Sequence, residues 1–94
     1  MGRKSLAEQL IEKYIEEPPG DETLLVVYDF QDVKPVTKFY DNINRVKTLT
    51  GDGQLIQYSV YLTKDQRGAK TIRDLVHHYG GQVFIFRGEP TELE

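Results

Sequence analysis

Two spacings of apolar residues run along this chain, a helical one and a strand-like one, and the densest apolar run is Leu24–Tyr28, within Leu-Leu-Val-Val-Tyr-Asp. A run of four to eight apolar residues rich in β-branched and aromatic types, bounded by turn residues, predicts a strand covered on both faces. Pro18, Pro19, Gly20 and Asp21 bound it on one side, Asp32 and Pro35 on the other. The strand ends on Asp29. That places a carboxylate at the rim of the sheet, where ligands of α/β sheets gather.

The flanking segments follow. Ser5 and Glu8 have the spacing of a capping box, each satisfying an orphan backbone N–H of a helix start. Leu6, Leu10 and Tyr14, with Ile11 and Ile15, continue it as an apolar stripe, so a helix is expected from Leu6 to about Glu16. Pro18-Pro19 cannot prolong it. Residues 1–20 thus read as an appendage and linker, expected to lie across the sheet or to cover an edge strand. Beyond the first strand, Val36, Phe39, Tyr40, Ile43, Val46 and Leu49 predict a second helix, with Pro35 in its first turn and Gly51-Asp52-Gly53 at its end. Gln54 to Leu62 alternates, with Ile56, Tyr58, Val60 and Leu62 on one face and Leu55, Gln57, Ser59 and Tyr61 on the other. That pattern predicts a half-exposed strand. Thr63 to Gly68 reads as a charged turn, Ile72, Leu75, Val76 and Tyr79 as a third helix stopped by Gly80-Gly81, and Val83 to Phe86 as a last strand.

This order of elements predicts an α+β domain over residues 21–90, a ferredoxin-like βαββαβ sandwich with an extra N-terminal helix. Residues 91–94 form a tail, and Leu93-Glu94 has the look of an appended tag remnant. The segment Gly51–Gln66 has to supply two antiparallel strands, so the third strand is expected to be short or to form where the long one bends. A three-stranded parallel layer is the alternative.

Composition narrows the class more than it changes the picture. Ninety-four residues make one domain with a modest core, and pairing with a second copy would bury more surface. With no cysteine, disulfide frameworks and thiolate metal sites are excluded. No run approaches the ~20 apolar residues of a membrane span and no signal-peptide pattern occurs, so a cytoplasmic protein without a membrane partner is expected. Charge is uneven: residues 1–32 carry three basic and eight acidic side chains, whereas residues 33–88 carry nine basic and four acidic. A basic middle segment faces phosphates in some proteins and is a solvated helix surface in others.

Among candidate chemistries, Asp29 and Asp32 offer hard oxygen ligands for Mg²⁺ or Mn²⁺. One chain supplies too few ligands, but a two-fold dimer would bring two Asp29 carboxylates together for metal-assisted phosphodiester hydrolysis. The plainer alternative is that one of these aspartates caps the following helix. Lys64, Arg67, Lys70 and Arg73 recur at three-residue steps, a stripe suited to a phosphate backbone or to solvent. His77-His78 are adjacent on a helix and diverge by about a hundred degrees, which prevents joint chelation. Gly51-Asp52-Gly53 follows a helix and precedes a strand, the reverse of a phosphate-binding loop.

Val26-Val27-Tyr28-Asp29-Phe30, followed by a helix and then by Ile56-Gln57-Tyr58-Ser59-Val60-Tyr61, resembles segments of the CRISPR-associated protein 2 and VapD-like family. The likeness covers about residues 24–62, with a looser echo through 88. It implies a ferredoxin-like homodimer that handles RNA or DNA, with Asp29 as the metal-binding catalytic residue of a divalent-metal-dependent nuclease. It also implies that Lys34 and Lys38 are a reduced basic cluster after the aspartate, and that Gln57, Ser59 and Tyr61 lie near the dimer face. The family's first strand usually opens the chain, whereas here a helix and a Pro-Pro linker precede it. A non-catalytic dimerisation module of the same fold is the competing expectation.

Overall fold

In a computed structural model, which describes residues 4–30, 37–88, 91 and 93, four strands form one antiparallel sheet with three helices. The elements are α1 (Leu6–Ile11), extended by a 3-10 turn at Glu12–Tyr14, β1 (Leu24–Asp29), α2 (Thr37–Thr50), β2 (Gln54–Gln57), β3 (Val60–Thr63), α3 (Gln66–His78) and β4 (Gln82–Arg87). The sheet runs β2-β3-β1-β4, so β1-α2-β2 steps over β3 and β3-α3-β4 steps over β1. The α+β class is therefore as expected, and the three-stranded parallel alternative is excluded. Pro35, at the expected start of the second helix, lies outside the described residues.

The core sits between the sheet and the pair α2 and α3. Along β1, Leu24, Val26 and Tyr28 point into it, as do Tyr61 of β3, Phe39, Ile43 and Val46 of α2, and Ile72, Leu75 and Val76 of α3. Phe39 is its aromatic hub, with ring centroids of Phe30, Tyr40, Tyr28 and Tyr79 at 5.0, 5.1, 5.3 and 5.7 Å in edge-on contact. Such pairs add about 0.5–1.5 kcal/mol each beyond their burial. This cluster anchors the end of β1 that carries Asp29.

The leading helix is placed differently from the expectation. The Ser5–Glu8 capping box is present. However, α1 packs on α2 and α3 rather than across the sheet or along an edge. Its Ala7 N–H donates to Asn42 Oδ1 at 2.8 Å, and Asn42 in turn donates to Lys38 O. Asn42 is a polar residue on the buried face of α2, so it supplies a specific attachment point that a purely apolar helix surface would lack.

The alternating stretch bends at Tyr58-Ser59 into a tight hairpin of two four-residue strands, so the third strand is short and forms where the long one bends, as expected. A register shift between Leu55 and Gln57 puts a bulge at Ile56. No described residue other than glycine has positive φ. The turn is therefore not of the primed type that best matches strand twist, and the bulge supplies the extra local twist. Tyr28 N–H donates to Ser59 O and Tyr40 OH to Tyr58 O, tying the turn to β1 and α2. Asp52 holds the other end of the hairpin. Its carboxylate accepts from Thr63 Oγ1 at 2.7 Å and Lys64 N–H at 2.6 Å, while its backbone oxygen accepts from Tyr61 OH. Gly53, at φ 131°, lies against Tyr61 so closely that a Cβ there would stand 1.9 Å from the tyrosine oxygen.

Candidate functional site

The feature that departs most from the sequence expectation is the second face of β1. An apolar run of this kind implies cover on both sides, yet the helices cover only one. Leu25 and Val27 are half-exposed, and Asp29 is exposed. The register extends this face across the sheet: Leu25 stands between Leu62 and Phe86, and Val27 between Val60 and Phe84. Phe84 is 61% exposed and Phe86 55%. Six apolar side chains from three strands thus make one contiguous open surface. Isolated exposed apolar residues need no explanation, but a contiguous patch marks an interaction site.

Asp29 closes β1 at the rim of this surface, opposite Gln82 of β4. No group of three or more His, Asp or Glu is placed to share a metal ion among the described residues. One exposed carboxylate is too few hard ligands for Mg²⁺ within one subunit. Asp32, the second candidate ligand, lies outside the described residues.

The expected dimer-face set divides. Gln57 and Ser59 are exposed at the hairpin tip. Tyr61, by contrast, is completely buried on the helix side, where burial first and the charges of Asp52 and Asp65 second push its hydroxyl up. The bend at Tyr58-Ser59 is the physical cause. It makes Val60 and Leu62 the open-face residues of β3 and turns Tyr61 and Thr63 inward.

The basic stripe is not an unpaired row. Arg67 closes a two-pronged ion pair on Asp65, at 3.0 and 2.7 Å, and Asp65 is itself the buried N-cap of α3. Lys70 pairs with Glu17. Arg73 bonds Tyr14 OH at 2.9 Å and Asp74 at 3.3 Å. Burial pushes Asp74 up, but the Tyr14 hydroxyl and the charges of Arg73 and Lys13 outweigh it and hold the carboxyl below its usual range. Two of the four stripe cations, Lys70 and Arg73, therefore hold the N-terminal segment onto α3, Arg67 braces the N-cap of α3 itself, and Lys64 is exposed without an ion pair among the described residues. Lys38 is exposed near the start of α2, and Lys34 lies outside the described residues. His77 and His78 are exposed in the last turn of α3.

Comparison of the chain with protein-family models, curated proteins and solved structures yields no match. No helix among the described residues is long and apolar enough to cross a membrane.

Proposed function

We propose that this chain is a ferredoxin-like interaction module that works as a homodimer, with a second copy covering the open sheet face. The β2-β3-β1-β4 order and its two interleaved β-α-β steps support the ferredoxin-like reading. The single observation carrying the function is the uncovered half of β1, whose Leu25 and Val27 join Val60, Leu62, Phe84 and Phe86. Two sheets packed face to face sit about 10 Å apart with side chains interdigitated, and a face of this composition suits that arrangement. A second copy is the simplest occupant because the face is almost uncharged: Asp29 at its rim is the one ionised group among its β1 and β4 residues, so self-apposition buries no like-charged pair at its centre. Sedimentation equilibrium of the purified chain should give twice the 10.9 kDa subunit mass at micromolar concentration. A single-subunit mass at about a hundred micromolar would remove this reading.

A second reading, a metal-dependent nuclease of the CRISPR-associated protein 2 kind, is favoured by the exposed position of Asp29 at the rim of the same face. A two-fold axis near that end of β1 would set the two carboxylates against each other, as shared ligands for Mg²⁺ or Mn²⁺. Divalent-dependent cleavage of RNA or DNA that vanishes in Asp29→Asn, with dimer mass unchanged, is the expected result. Cleavage unaffected by that substitution excludes Asp29 from the chemistry.

A further inference from the structure

We infer that a cleft on the helix side of the sheet, remote from the open face, is a binding site for a small organic phosphate. The cleft has a volume of about 380 Å³ and lies between the linker after Pro19, the first turns of α3 and the ends of β1 and β4. Its apolar floor includes Leu24 and Ile85. Ile85 pairs with the fully buried Val26 and so belongs to the helix-covered face, yet it is 37% exposed. The cover is incomplete at this corner alone among the β1 and β4 pairs on that face: Tyr28 and Val83, at the other end, lie in or against the core.

Four cations stand around that floor, Lys64 from the turn after β3, Lys70 and Arg73 from α3, and Arg87 from β4. Asp21 and Glu22 also contribute to the walls, Glu22 in a 3.4 Å pair with Arg87. Glu17 and Asp74, the ion-pair partners of Lys70 and Arg73, are not among the lining residues. The Lys64 side chain makes no ion pair among the described residues, and its backbone N–H donates to Asp52. The linker wall is held in place: Gln66 N–H donates to Pro19 O at 2.8 Å and its side-chain amide to Pro18 O at 2.6 Å. A chain of net charge −3 thus concentrates cations around one apolar-floored concavity of small-molecule size. The chemistry recognised is a phosphate dianion, for the Lys and Arg groups that line the cleft, joined to an apolar body for Leu24 and Ile85. A volume of about 380 Å³ suits a small molecule rather than a polyanion strand.

Titration of the ¹⁵N-labelled full chain with phenyl phosphate, followed by amide chemical shifts, tests this. Saturable shifts are expected at Lys64, Gln66, Lys70 and Arg87, with at least tenfold tighter binding than inorganic phosphate. The Lys64→Ala/Arg87→Ala double variant changes two exposed side chains and should weaken phenyl phosphate at least tenfold with the rest of the spectrum intact. Should that variant unfold, Lys64→Ala alone must still weaken binding severalfold. Equal affinity for phenyl phosphate and inorganic phosphate, or wild-type affinity in these variants, overturns the site. Tighter binding of a single-stranded oligonucleotide, with shifts reaching Lys38 and Lys47, overturns it in favour of nucleic acid.

Discussion

Replacing Phe84 and Phe86 together by threonine separates association from folding. Threonine keeps the β-propensity of the two positions while removing the aromatic surface. A phenylalanine presents roughly 200 Å², so exposures of 61% and 55% leave about 120 and 110 Å² of these rings in water in the single subunit. Covering both rings in both copies removes about 460 Å² of apolar surface, or ~11 kcal/mol gross at ~25 cal/mol per Å². Association itself opposes this with about 4–15 kcal/mol. Even if half of the gross term is realised, the double variant loses ~5 kcal/mol of dimer stability, more than a thousandfold in dissociation constant. The subunit, which already leaves these rings more than half exposed, should lose only about 1–2 kcal/mol. Sedimentation equilibrium across a concentration series reads the first quantity, and urea unfolding under monomeric conditions reads the second. Leu49→Thr is the control, because Leu49 is 45% exposed on α2, away from the sheet. A dissociation constant unchanged in Phe84→Thr/Phe86→Thr, or shifted equally by Leu49→Thr, refutes the reasoning.

Two tyrosines in one core should respond oppositely to loss of a hydroxyl. Tyr28→Phe removes a buried oxygen that has no hydrogen-bond partner among the described residues, and urea unfolding should show no loss or a gain of about 1 kcal/mol. Tyr61→Phe removes a donor to Asp52 O at 3.3 Å and should destabilise by about 0.5–1.5 kcal/mol; the same sign in both would contradict the assignment. Gly53→Ala combines a positive φ with a Cβ 1.9 Å from the Tyr61 oxygen and should destabilise by about 2–5 kcal/mol in thermal unfolding. Gly51→Ala, at φ 69° with open space around it, carries the conformational term alone and should lose about 1–2 kcal/mol. Hydrogen bonds from the Lys64 N–H and the Thr63 hydroxyl lower the Asp52 carboxyl below its usual value of 3.8. Its stabilisation is therefore present above that value and lost as pH falls through the lower folded-state value, so Asp52→Asn should flatten the acid limb of stability between about pH 5 and 2, a contrast that urea midpoints resolve.

Where the chain's own periodicity and packing agree, sequence reading reached the structure. Leu24–Asp29, the Ser5–Glu8 cap and the glycine stop after Thr50 stand as expected, because each is decided by neighbours within a few residues. What was illegible depends on distant partners. Gly68 reads as turn punctuation, yet it is buried inside α3, where a Cβ would come 3.3 Å from the Thr50 methyl group; the glycine serves the close approach of α2 and α3. The N-cap at Asp65 was concealed by the same charged run, Thr63 to Gly68, that resembled a turn. Tyr58-Ser59 carries no glycine, proline or asparagine, so nothing local marks where the expected bend falls. Its bend comes instead from Ser59 O and Tyr58 O being claimed by β1 and α2. The basic stripe looked unpaired because Glu17 and Tyr14 are more than fifty residues away in sequence.

The discrepancy at β1 is of another kind, and the functional reading depends on it. A continuous apolar strand is matched in physical terms by two apolar neighbours, and the described residues of one copy supply only one. If the sequence at β1 were adapted to solvent on its second face, Leu25 and Val27 would be the positions to carry polar side chains, as Gln54 does beside Leu62 at the sheet's other margin. They instead continue the apolar character of Leu24 and Val26, in line with Phe84 and Phe86 on the adjoining strand. The pattern along β1 is thus the one that the proposed dimer requires, in which a second copy supplies the missing apolar neighbour.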